Sequence, residues 1–191
     1  DKNRPFKRTI SPSMDILISS NLERLLYHLS ERSQAKVARW MESLQEKGHY
    51  QVEPEIVAQV QKVFWSDYTS DEETLVTIKE VYEKHGYLLD PHTAVAWDVY
   101  EKYLQATGEN LPTVIVSTAS PFKFNASVAQ AILGPEALQD KTEFELLELL
   151  ASQTGMAIPA GLKDLDKRPI RHTQVAAKEE MLAMVKSFLT V

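Results

Sequence analysis

The chain has 191 residues, 43% of them hydrophobic and 25% charged, with a net charge of −6 and no cysteine. That acidic balance excludes a general nucleic-acid surface, the basic start Lys2–Arg8 being too short to reverse it, and no apolar run approaches the roughly 20 residues that span a membrane. Without cysteine there is no disulfide framework, thiolate nucleophile or thiolate metal site, and a reduced, cytoplasmic setting is expected.

The remaining composition is that of a soluble globular domain able to bury a sizeable core. The chain opens at Asp1 rather than Met, in a polar run leading into "FKRTI", and is expected to be a cut from a longer protein. "FKRTI" itself reads as a weak strand. In "SPSMDI", Ser13 is placed to cap a helix whose inward face carries Leu22, Leu25, Leu26 and Leu29. A second helix is expected from about Ser33 to Lys47, stopping at Gly48, and a third after Pro54 with Ile56, Val57, Val60, Val63 and Phe64 inward. Ser70 and Glu73 have the capping-box spacing that opens a fourth helix, ended by Gly86. Asp90 followed by Pro91 opens a fifth, which runs to Gly108.

"PTVIVST", Pro112 to Thr118, is continuous, β-branched and bounded by Pro112 and small hydroxyls. This pattern predicts a buried strand of parallel type. Shorter helices follow over about Ala126–Leu133 and Thr142–Gln153, and a last one over about Thr173–Leu189. One or two strands cannot form a sheet worth covering with about eight helices. Either the domain is all-helical with one irregular hairpin, or further strands lie upstream. The doubly apolar look of Val114–Val116 favours the second. The expected fold is therefore α/β and helix-rich, a single unit over 1–191 with a helical region at about 14–108.

Several chemistries find no support. His85, Asp90 and His92 match no helix-pair metal spacing, and Asp90 is better used as a cap, so no metal site is expected. There is no G-x-S-x-G elbow for a serine hydrolase. The six glycines fall at helix ends or in loops, none spaced to cradle a phosphate. "NAS" at Asn125 is a formal glycosylation acceptor without a secretory context. Three polar islands remain: "SPSMD", "DPHTAV" and "STASPFKF". Each is explained as punctuation, two helix caps and a strand exit. The third lies where ligands bind in open α/β sheets, at the carboxyl end of the most buried strand.

Taken together, "TISPSMDILISSNLERLLYHL", "LLDPHTAVAWDVY" and "STASPFKF" resemble, in order and spacing, the C-terminal portion of the threonine synthases, fold-type-II pyridoxal-phosphate enzymes. The resemblance spans about Phe6 to Ala129. It implies a parent lyase that converts O-phospho-L-homoserine and water to L-threonine and phosphate. In that family the Schiff-base lysine and the glycine-rich phosphate loop precede "SPSMD", so the resemblance places no catalytic residue in this chain and implies that the fragment alone is inactive. It assigns Thr118 to the cofactor's pyridine nitrogen, with Ser117 in its place if the register shifts by one. Asp90, His92 and Thr93 would form a wall beside the cofactor. Lys123, Ser11 and Ser13 are substrate-side candidates, and Lys123 stands in the wrong motif to be the Schiff-base lysine. Ser120 and Phe122 depart from the commoner family pattern, which has histidine and a small residue there. A fragment of this kind is expected to self-associate through surface that the rest of the enzyme covers, and the rival reading is a non-catalytic helical interaction module derived from the same family.

Overall fold

A computed structural model describes residues 1–189. Eight α-helices are found among them: α1 Ser20–Leu29, α2 Gln34–Lys47, α3 Pro54–Gln61, α4 Asp71–His85, α5 Pro91–Thr107, α6 Asn125–Leu133, α7 Glu143–Thr154 and α8 Met181–Leu189. They divide between two compact units, Asp1–Pro159 and one that begins at Ala160.

Most helix ends follow from local chemistry. The Ser33 hydroxyl accepts from the Lys36 N–H at the start of α2. Ser70 and Glu73 form a reciprocal capping box at α4, and Thr142 and Glu145 form another at α7. Each box holds its glutamate carboxyl below the usual value, chiefly through the hydrogen bond from the capping residue's backbone N–H. Gly48 and Gly86 close α2 and α4 in the left-handed region, at φ 80° and 64°, where a Cβ is penalised. The opening helix departs from expectation. Ser13 lies in a short 3-10 turn, Pro12–Met14, and the cap of α1 is Ser19, whose hydroxyl accepts from the Leu22 N–H at 3.3 Å.

Within the first unit α1 packs on α2 and α3, α4 on α5 and α6, and α6 on α7. Leu26, Trp40 and Ile56 form the core of the α1–α3 group. Ile78, Leu89, Val128 and Leu150 are buried in the α4–α7 group. The N-terminal strap links the groups. The Lys2 N–H donates to the Gly48 carbonyl at 2.7 Å, and further on the Ile10 N–H donates to Asp71 Oδ1 at 3.1 Å. Val63 and Phe64, expected inward, are exposed, because α3 ends at Gln61 and its apolar stripe does not reach them. Leu22 and Val57 are exposed as well. In the second unit α8 is shorter than expected, being preceded by a 3-10 turn at Lys178–Glu180.

The strand assignment is overturned. Among the described residues there is no β-strand or sheet: neither "PTVIVST" nor "FKRTI" pairs with anything, and the unit is helical. The physical reason is that a strand is defined by a ladder partner, which β-propensity alone does not supply. Val114 and Val116, expected to be buried, are 86% and 68% exposed. The α/β class with one or two strands therefore does not describe this chain, and its architecture is helical.

The corrected cap has a direct consequence. Ser19→Ala should destabilise the protein by about 1 kcal/mol in denaturant unfolding, whereas Ser13→Ala should leave stability unchanged within a few tenths of a kcal/mol. Equal losses at the two positions would contradict the placement of the α1 terminus.

Candidate functional site

The site is built around the first turn of α5. Asp90, 1% exposed, is its N-cap. Its Oδ1 accepts from the His92 N–H at 2.9 Å and the Thr93 N–H at 3.3 Å, and its Oδ2 accepts from the Thr93 hydroxyl. All three partners come from the two residues beyond Pro91, which itself has no N–H to satisfy. The carboxylate is thereby paired entirely with neutral donors, as a buried charge without a cation must be. The Thr93 oxygen also lies 3.3 Å from Ser117 Oγ. Since the single Thr93 proton goes to the carboxylate, the Ser117 hydroxyl is the donor in that second contact.

His92 lies on the same turn and is 6% exposed. Its Nδ1 is hydrogen-bonded to the hydroxyl of Ser11, which is 3% exposed. Its Nε2 is buried with no hydrogen-bond partner among the described residues. The Phe124 ring stands edge-to-face to the imidazole at a centroid distance of 4.8 Å and an interplanar angle of 82°. Ser11 is held in its turn from behind. The Thr9 N–H and hydroxyl donate to Asp15 at 2.7 and 2.8 Å, and the Ser11 N–H donates to the Thr9 hydroxyl oxygen at 3.1 Å.

The three polar islands, far apart in sequence, thus meet at one place: Ser11 reaches His92, Thr93 reaches Ser117, and Phe124 packs on His92. Thr118 is exposed beside them, and its hydroxyl has no hydrogen-bond partner among the described residues. The Ser120 hydroxyl accepts from the Phe122 N–H at 3.3 Å, which starts the short 3-10 helix that buries Phe122. Besides Thr118, two further candidates stand apart from the hydrogen-bonded cluster. Ser13 is exposed in its turn, and Lys123 is exposed, with Nζ 6.0 Å from the centroid of the Phe124 ring. Sequence reasoning missed the supporting roles of Thr9, Asp15, Asp71 and Phe124. Thr9, Asp15 and Phe124 carried a signal, by lying inside the quoted motifs, whereas Asp71 carried none. No group of histidine, cysteine or acidic residues suited to a metal ion is found among the described residues.

The family profile described as "Threonine synthase, C-terminal" matches residues 93–189, half of the chain. The chain belongs to the threonine synthase C-terminal family. The resemblance carried by the three motifs is therefore correct. Threonine synthase of Pseudomonas aeruginosa is 35% identical over 182 residues, which take in 95% of this chain and 34% of that protein. A PLP-bound threonine synthase from Brucella melitensis has a similar structure, with a TM-score of 0.71 and 31% identity over 97% of this chain and 34% of its own. A yeast threonine synthase structure gives a TM-score of 0.72 at 30% identity, covering 98% of this chain and 38% of its own. The chain thus spans about a third of the length of these threonine synthases.

Asp90 gives the site its first test. Asp90→Ala leaves two backbone N–H groups and the Thr93 hydroxyl without their acceptor, and should cost about 1–3 kcal/mol in denaturant unfolding. Asp90→Asn keeps one acceptor oxygen for the helix N–H groups and should cost less than half as much. Equal losses would mean that the carboxylate is not acting as the cap.

Proposed function

We propose that this chain is the C-terminal part of a pyridoxal-phosphate-dependent threonine synthase, which converts O-phospho-L-homoserine and water to L-threonine and phosphate. The observation that carries the reading is the meeting of Ser11, His92, Thr93, Ser117 and Phe124 in one cluster, in a chain that belongs to the threonine synthase C-terminal family.

The residues present suit that cofactor. The cluster offers hydroxyls and an imidazole around a carboxylate whose charge is already satisfied, and the exposed Thr118 hydroxyl, next in the chain to Ser117, has no hydrogen-bond partner among the described residues. Such an environment receives a heteroaromatic ring through hydrogen bonds without adding net charge. When bound, the cofactor supplies the electron sink for the elimination and addition steps. Thr118 would donate its hydroxyl proton to the ring nitrogen, and a neutral donor there leaves that nitrogen unprotonated, whereas a carboxylate would hold it protonated. Ser117 is the poorer candidate because its own proton is turned to Thr93. Asp90, His92 and Thr93 would form the wall, their side chains fixed by the cap and by Ser11. Lys123, exposed beside Phe124, would meet a substrate phosphate. Ser11 would act on the substrate side only through the shape of its turn, since its hydroxyl is taken by His92, and Ser13 is open to solvent.

The Schiff-base lysine would lie in a part of the full-length enzyme other than these residues, leaving the isolated chain inactive, and the setting would be cytoplasmic. The test uses the full-length enzyme. Phosphate release from O-phospho-L-homoserine should require pyridoxal phosphate, and Thr118→Val should lower turnover about 10- to 100-fold with the melting temperature unchanged. An unchanged turnover would remove Thr118 from the cofactor site. A full-length protein with no synthase activity would favour a non-catalytic interaction module.

The isolated chain should also self-associate, because Leu111, Val114 and Val116 are exposed together and unpaired apolar segments of this kind associate. Sedimentation velocity should show concentration-dependent species above the monomer, abolished by Val114→Lys/Val116→Lys. A monomer at every concentration would contradict this.

A further inference from the structure

We infer that His92 is a positioning residue, held as the neutral tautomer with its proton on Nε2, which acts through Ser11 to fix the "SPSMD" turn against the start of α5. The tautomer follows from the hydrogen-bond inventory. The Ser11 hydroxyl is buried, and its one hydrogen-bond partner among the described residues is His92 Nδ1. If Nδ1 carried the proton, Ser11 would have to accept it, and both the buried hydroxyl proton and the Nε2 lone pair would be left without a partner among the described residues, whereas the other tautomer leaves only the Nε2 proton unpaired. With Ser11 donating, Nδ1 accepts and the ring proton resides on Nε2.

Nε2 then becomes a buried donor with no hydrogen-bond partner among the described residues. Buried polar groups are nearly always satisfied, and each exception calls for a cause. A residue needed only for packing would be served better by an apolar ring, which would leave nothing unpaired against Phe124. What the imidazole provides beyond packing is a single acceptor for Ser11, 81 positions away in the chain. Asp90 does not perform this task. Its oxygens bond to the His92 backbone N–H and to Thr93, not to the ring. One residue therefore joins two networks: its backbone belongs to the cap that reaches Ser117 through Thr93, and its side chain belongs to the Ser11 turn. The inference about the tautomer stands on this geometry alone, while the consequence for turnover rests on the reading of the chain as part of a threonine synthase.

Two measurements on the full-length protein test it. Nitrogen-15 spectra of His92 should show a pyridine-type Nδ1 and a pyrrole-type Nε2, and Ser11→Ala should shift Nδ1 most. A protonated Nδ1 in the wild type would overturn the inference. In turnover, Ser11→Ala and His92→Phe should each lower kcat/KM about 10- to 100-fold, as misplaced site elements do. The double variant should fall no further than the worse single one, because the two act as one unit. Losses that multiply would show that His92 acts independently of Ser11 and would sink the proposal. Should His92→Phe fail to fold, the wild-type spectrum still decides. Should the protein lack synthase activity, the functional reading fails while the spectrum still judges the tautomer.

Discussion

A carboxylate with almost no access to water opens α5, and the arrangement around it depends on how that charge is satisfied. Among the described residues no cation pairs with Asp90. Its partners are the N–H groups of His92 and Thr93 and the Thr93 hydroxyl. These partners can all be supplied by one helical turn only if the chain enters that turn along a single path. The cap therefore sets the position of the imidazole and of the Thr93 oxygen together. Ser11 and Ser117 then come to them from the two sides of α5 in the sequence. Neutral donors around a buried carboxylate cost less than an unpaired charge, but they leave the cluster intolerant of substitution.

The supporting shell is as specific as the centre. Ser11 could not meet His92 if its turn were loose. Thr9 and Asp15 close that turn, and Asp71, at the first position of α4, accepts from the Ile10 N–H beside it. Since α4 packs on α5, the strap and the imidazole are referred to the same pair of helices. Lys102 provides a contrast. On the outer part of α5 it faces Asp98 at 2.7 Å and Glu73 at 3.3 Å, partly open to water, and the hydrogen bond to Asp98 raises its pKa. Opposite charges at that solvated place contribute little. The buried end of the same helix is satisfied by neutral donors.

How much of this was legible in the sequence depended on the range of the interactions. Caps are local: Asp90, the Ser70–Glu73 box and the glycines after α2 and α4 each declare themselves within four residues, and the structure has them where the pattern places them. Ser13 and Ser19 show the limit, since both are serines ahead of the same apolar stripe. The turn held by Thr9 and Asp15 moves the helix start to the second. The strand could not be read in the same way. Val114 to Val116 have the right residues, but pairing is a property of a partner, and no partner is found among the described residues. The bond between Ser11 and His92 was likewise invisible to spacing. The motif resemblance brought the islands to notice as one set without saying which atoms meet.

The exposed valines lead directly into Ser117, which touches the buried cluster through Thr93, and valines and cluster together invert the usual order. Soluble domains bury β-branched residues and leave hydroxyls and carboxylates to water. Here Asp90, Thr93 and Ser11 are buried while Val114 and Val116 are open. The inversion is costly for an isolated helical unit, because hydrating those two side chains forgoes about 1.5–3 kcal/mol each relative to full burial. It is consistent with a surface shaped to be covered. A chain that spans about a third of its relatives' length presents its polar cluster and its apolar segment side by side. A covering element packed on Val114 and Val116 would lie next to Ser117 and Thr118 in the chain. Covering those valines would recover the free energy that their exposure forgoes.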